Sequence, residues 1–183
     1  MPPWKNLGER VPKAGWCCFG RYKDILCDRK LPMTLRRRMY NQCVLPTMTY
    51  GAETWSTTQD LEQKLITTQR AMERRMLGIT IRDRVRNSEI RSKTGVKDIM
   101  ERIGEAKWRW AGHVASKNDN RWTKRITEWQ PRTGKRRRGR QRRRWRDDLT
   151  TYRGTTWARD AQDREEWKIL EEGFILQRMK QPR

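Results

Sequence analysis

Residues Arg132 to Leu149 read RTGKRRRGRQRRRWRDDL: ten of the first fifteen are Lys or Arg, and no acid appears before Asp147. Nine of those ten cations are arginine. A guanidinium is a planar fork that meets two phosphate oxygens at once and stacks on bases, so the chemistry on offer is phosphate recognition. Trp122, Trp129 and Trp145 flank the run. Indoles among cations suit nucleic acid with exposed bases, such as single strands or bulges. Core packing is the other reading of these three tryptophans, and both stay open. Gly134 and Gly139 predict a flexible segment that orders on binding. The candidate contacts are Arg121, Trp122, Lys124, Arg125, Arg132, Lys135, Arg136, Arg137, Arg138, Arg140, Arg142, Arg143, Arg144, Trp145 and Arg146. If about six to ten cations meet phosphates, the logarithm of affinity falls with the logarithm of salt at a slope of roughly −5 to −9. Phosphate contacts position rather than specify, so sequence selectivity should be low.

The charge is concentrated there. The chain has 183 residues and a net charge of +22, and residues 121–146 carry thirteen cations against Glu128 alone. Such a field attracts polyanions. Nucleic acid is the leading partner, as RNA, DNA or both. An anionic membrane fits less well, because no amphipathic apolar face accompanies the run, and no apolar stretch long enough to span a membrane occurs. The run KRRRGRQRRR also satisfies the loose pattern of a nuclear address. The first ten residues, MPPWKNLGER, lack the apolar stretch of a secretory leader. The chain therefore reads as intracellular, with its four cysteines reduced.

Leu, Ile, Val and Phe together make only 28 of 183 residues, while ten Trp and eight Met supply bulk for a thin core. Nothing alternates as a strand, and the expected fold is mostly α. Residues 1–13, with three prolines, read as loose. Trp16, Phe19, Lys23 and Leu26 share one face of a first helix. A second opens at Pro32 with Leu35, Met39 and Cys43 on its face, and Pro46 should kink or stop it. A third starts at Thr57 or Thr58, buries Leu61, Leu65, Met72 and Met76, and ends at Gly78. ITIRDRVRN is a connector, followed by a short helix to Thr94-Gly95. The strongest periodicity runs from Val96 to His113 through Ile99, Ile103, Ala106, Trp110 and Val114, with Gly104 tolerated inside. A last helix after Thr155 or Thr156 carries Trp157, Ala161, Leu170 and Phe174.

Read together, KLPMTLRRRMYNQCVLPTMTYGAETW, TTQRAMERRMLGI, EAKWRWAGHVA and RWTKRITEWQPRTGKRRRGRQRRRWRDDL resemble one family. It is the C-terminal third of LINE-type, RTE-like non-LTR retrotransposon reverse transcriptases, which are RNA-directed DNA polymerases. The resemblance covers about Ala14 to Phe174 and rests on the order and spacing of these motifs. It implies that residues 14–78 are thumb-like helices, 79–115 a helical C-terminal region, 116–154 a basic nucleic-acid-binding segment and 155–183 a terminal helix and tail. A thumb grips the primer–template duplex and does no chemistry. On this segment Arg36, Arg37, Arg38, Arg70, Arg74 and Arg75 are the expected phosphate contacts. A reading frame that begins just past the palm fits the 5′-truncated copies common among such elements.

The polymerase palm and the endonuclease are missing. Polymerisation needs carboxylates that hold two metal ions, and such enzymes usually carry them on a Tyr-x-Asp-Asp turn. Trp145-Arg146-Asp147-Asp148 lacks the Tyr and a preceding apolar strand; the two acids read instead as partners of a helix N-terminus or of nearby arginines. His113 reads as structural. Cys17, Cys18, Cys27 and Cys43 lack zinc-site spacing and read as buried thiols. TGKRRRGR lacks the first glycine and the strand of a phosphate loop. No catalytic residue, metal or cofactor is expected, and the chain as it stands reads as no enzyme. The favoured reading is a non-catalytic reverse-transcriptase fragment that binds RNA or DNA, nuclear, with a cytoplasmic phase beside the element's RNA. Two alternatives stay open: an active polymerase completed by a palm-bearing reverse-transcriptase chain, and a cellular helical interaction module.

Overall fold

A computed structural model describes residues 6–117, 122–123, 127 and 144–180. The fold is mostly α, and no strand occurs among the described residues. The chain divides into two units, one built from residues 1–50 and 59–102 and one from residues 51–58 and 103–182. The division falls inside a helix, at Arg102 and Ile103.

The first unit opens with α1 (Leu7–Arg21), which starts well before Ala14 and includes Pro12. The expectation of a loose 1–13 is thus corrected from Asn6 onward. The Asn6 carbonyl accepts from the N–H groups of Glu9 and Arg10 at 3.1 and 2.9 Å. Val11, Gly15 and Phe19 form the buried stripe. Burial of that stripe outweighs the bond that Pro12 cannot make. Of the expected face, Phe19 and Leu26 are buried, Trp16 is half-buried and Lys23 is exposed. After α2 (Lys23–Leu26), α3 (Met33–Met39) follows Pro32 and runs through a π turn at Tyr40–Val44 into α4 (Leu45–Met48). Pro46 neither stops nor ends this run; the wider turn before it accommodates a residue that has no N–H to donate. The buried face is Arg36, Tyr40, Val44 and Met48, one position on from the expected Leu35, Met39 and Cys43. Leu35 is exposed instead.

Helix α5 (Gln59–Leu77) buries Leu61, Leu65, Met72 and Met76 as the periodicity predicts. It ends in a Schellman motif. Gly78 adopts φ +65°, its N–H donates to Arg75 O at 3.1 Å, and Ile79 N–H donates to Arg74 O at 3.0 Å. A 3₁₀ turn at Ile81–Asp83 leads to α6 (Asn87–Thr94). Helix α7 (Ile99–Ala115) follows and runs through Gly104. Its start is held by the buried Gln69 amide, which accepts from Ile99 N–H at 2.9 Å and donates to Lys97 O at 2.7 Å.

The second unit takes α7 from Ile103 on, with α8 (Asp147–Arg153), α9 (Trp157–Asp160) and α10 (Arg164–Lys180). Trp108, Ala111, Ala115, Leu149, Trp157, Ala161, Trp167 and Phe174 form its core. The expected Ala106 and Trp110 are only half-buried; Lys107 and Trp108 face inward in their place. The expected single last helix is two. The chain turns after Ala161, and Asp163 caps α10 by accepting from the N–H groups of Glu165 and Glu166 at 3.0 and 3.1 Å. No helix among the described residues is long and apolar enough to cross a membrane.

Candidate nucleic-acid interface

Three consecutive arginines on α3 step round the helix by about 100° each, so they cannot share one environment. Arg36 points inward, and its Nη1 donates to the Met76 carbonyl at 2.7 Å. Arg29 Nη2 donates to Gly78 O at 3.2 Å. One guanidinium thus meets a last-turn carbonyl of α5 and the other the carbonyl just past its end, where the dipole is negative. Arg37 and Arg38 are exposed, Arg37 lying against Gly95 at the end of α6.

The arginines of α5 divide in the same way. Arg70 is buried, pairs with Glu73, and donates from Nη2 to Asp98 Oδ2 at 2.8 Å. Arg91 reaches the same Asp98 oxygen at 3.2 Å, and the Thr94 hydroxyl donates to Glu73 Oε2 at 3.0 Å. Burial raises the pKa of Glu73 above its ordinary value, while the Arg70 charge and the Thr94 hydrogen bond pull against it. Arg74 is half-buried and donates to Asn87 Oδ1 at 2.7 Å. Arg75 is exposed, with its guanidinium carbon 5.2 Å from the centroid of the Trp16 ring. Of the six arginines expected to meet phosphate, two are therefore buried. Arg36 and Arg70 sit inside the first unit, because carbonyls and carboxylates there satisfy them. Arg37, Arg38 and Arg75 face solvent.

The basic segment enters the described structure only at its edges. Trp122 lies in helical backbone and is 74% exposed. Arg121, Lys124, Arg125, Trp129, Arg132, Lys135, Arg136, Arg137, Arg138, Arg140, Arg142 and Arg143 lie outside the described residues. At the far end, Arg144 and Arg146 are half-buried. Trp145 is half-buried and packed. Its Nε1 donates to Glu53 O at 2.6 Å, its ring meets Trp157 edge-on at 6.3 Å, and Lys107 Nζ lies 5.4 Å from its centroid.

The acids that follow have structural partners. Asp147 Oδ2 accepts from Arg144 N–H at 2.7 Å, in the first turn of α8. Asp148 is buried between Lys107 Nζ at 2.7 Å and Arg178 Nη1 at 3.3 Å. Arg178 Nη2 also donates to Thr57 Oγ1 at 3.0 Å. This ion cluster escaped the sequence reading, although Lys107 beside Trp108, within an apolar helix, is the signal that could have found it. His113 is exposed in the last turn of α7, its ring 5.7 Å from that of Trp110. The thiols are not buried as expected: Cys17 is exposed, and Cys18, Cys27 and Cys43 are partly so. Among the described residues no three His, Cys, Asp or Glu side chains are grouped to hold an ion.

Among the described residues, Arg37, Arg38 and Arg75 of the first unit expose guanidiniums, and Trp122 exposes its indole. The chain is similar to a transposon-derived protein of Caenorhabditis elegans. The two are 36% identical, and the match covers 87% of this chain and 61% of that protein, whose name also calls it uncharacterized. The chain thus spans about 61% of the length of the relative it matches. No protein-family model matches the chain, and no solved structure does.

Proposed function

We propose that this chain is a transposon-derived, non-catalytic fragment of a non-LTR retrotransposon reverse transcriptase that binds RNA or DNA through its phosphates. The observation that carries this reading is the charge of residues 121–146, thirteen cations against one acid. Exposed Arg37, Arg38 and Arg75 support it, as does the similarity to a transposon-derived protein. A nuclear location follows from the same arginines, with the element's RNA as the cytoplasmic partner.

The test is an anisotropy titration of the full chain with labelled RNA and DNA across a salt series. The expected result is a steep salt dependence, with roughly 10³–10⁵-fold weaker binding at 200 mM than at 50 mM. Replacing Arg136, Arg137, Arg138, Arg142, Arg143 and Arg144 with Gln should flatten that slope. Weak binding that ignores salt would favour a cellular interaction module. Primer extension gained on mixing with a palm-bearing chain would favour a completed polymerase.

A further inference from the structure

The segment between α5 and α6 is built as a fixed turn with an unusual surface. Thr80 and Asp83 form a reciprocal cap: the Asp83 carboxylate accepts from Thr80 N–H at 2.6 Å and from its hydroxyl at 3.0 Å. The same two bonds, the backbone one first, hold Asp83 below its ordinary pKa. Arg84 then adopts φ +50°, the one non-glycine residue with positive φ among the described residues. A side chain in that conformation is sterically costly, so the turn holds Arg84 there against its own preference. Both ends are tied. Upstream, α5 closes on Gly78 and Ile79; downstream, Arg74 Nη2 donates to Asn87 Oδ1 at 2.7 Å.

What this turn presents is specific. Ile81 is 82% exposed, and Arg82, Arg84 and Arg86, which follow within five residues, are exposed too. The carboxylate in the loop is folded back on Thr80, so the turn exposes three arginines and one aliphatic side chain. Scattered exposed isoleucines need no explanation. An isoleucine fixed on a capped turn among arginines matches the pattern of minor-groove binding: cations on the flanking phosphates and an apolar group against sugars and base edges.

We propose that Ile81–Arg86 is a second, duplex-selective nucleic-acid contact, with Arg82, Arg84 and Arg86 on phosphates and Ile81 against the minor groove. This rests on the nucleic-acid-binding reading above and adds to it a substrate class, the double strand. A single strand offers no groove wall for Ile81, so its contribution vanishes there.

The test uses the full chain with a short fluorescein-labelled DNA duplex and the matching single strand, titrated at several salt concentrations. Arg82→Gln/Arg84→Gln/Arg86→Gln should weaken duplex binding at least about tenfold and make the salt slope shallower by about 2–3, near 0.9 per lost phosphate contact. Ile81→Ser should weaken duplex binding several-fold and leave the slope and the single-strand affinity unchanged. The three-lysine variant, which keeps charge and fold, should retain the slope. If the parent chain binds duplex and both loop variants bind it equally well, the loop assignment is wrong while the general reading stands. Parent binding to the single strand alone has the same consequence. Binding to neither probe at low salt overturns both.

Discussion

Trp108 and Trp167 stack with their ring centroids 3.7 Å apart and their planes 4° from parallel, and each indole N–H donates to the backbone carbonyl of the other residue. The two bonds, 2.8 and 3.1 Å long, satisfy both buried donors within one contact. Helix carbonyls normally face the residue four positions on. Here that residue is Gly112, and a β-carbon there would lie 2.6 Å from the Trp167 Nε1 that reaches Trp108 O. Gly112 is the opening through which the pair forms.

Gly112→Ala should therefore destabilise the chain by about 1–3 kcal/mol through overpacking, against a gain in helix propensity that would otherwise be expected. Trp167→Phe should cost about 2 kcal/mol by removing one hydrogen bond and part of the stack. Urea unfolding monitored by near-ultraviolet circular dichroism measures both. The coupled-indole signal should shrink in each variant.

The buried Asp148 carboxylate lies between Lys107 and Arg178. Asp148→Asn should leave two buried cations without their counter-charge and cost about 3–5 kcal/mol. Calorimetry at low and high salt separates this from a surface effect, because a buried pair is little screened. A loss under about 1 kcal/mol would mean that water reaches the cluster.

Arg70 and Arg37 lie in the same unit with opposite burial, so their substitutions should separate. Arg70→Gln leaves the buried Glu73 without its paired guanidinium, and Asp98 without one of two; it should cost about 3–5 kcal/mol. Arg37→Gln with Arg38→Gln should change stability by less than about 0.5 kcal/mol and reduce the salt slope of nucleic-acid binding by up to about 2. Unfolding and anisotropy measured on the same preparations check the contrast.

Glu73 gives a pH signature. Its pKa is raised in the folded chain above the ordinary value of 4.5, chiefly by burial. The folded state then binds the proton more tightly than the unfolded state. The group's contribution to stability is most favourable below pH 4.5 and declines as pH rises through the folded pKa. Compared with Glu73→Gln, the parent chain should lose relative stability across that interval and run parallel to the variant above it. Urea midpoints taken from pH 4 upward test this; parallel behaviour throughout would place the carboxylate at its ordinary value.

The local chemistry was legible in the residues. Helix class, the end of α5 at Gly78, the buried row Leu61, Leu65, Met72 and Met76, and the structural use of Asp147 follow from periodicity and capping rules that depend on neighbours in the chain. The expectations that failed were decided by groups far apart in sequence. Whether an arginine meets solvent or a partner depends on what faces it. Arg36 found the Met76 carbonyl 40 positions away and Arg70 found Asp98 28 positions away, while neighbouring Arg37 found solvent. The buried face of α3 and α4 lies one residue on from the apolar row that periodicity picks out, because Arg36 turns inward to a carbonyl of another helix. Trp145, which the sequence leaves open to stacking or packing, packs edge-on against Trp157 and donates to the carbonyl of Glu53, 92 positions away. Charge density is a property of composition and can be counted along a chain; burial and pairing are properties of contact, and only the packed helices set them.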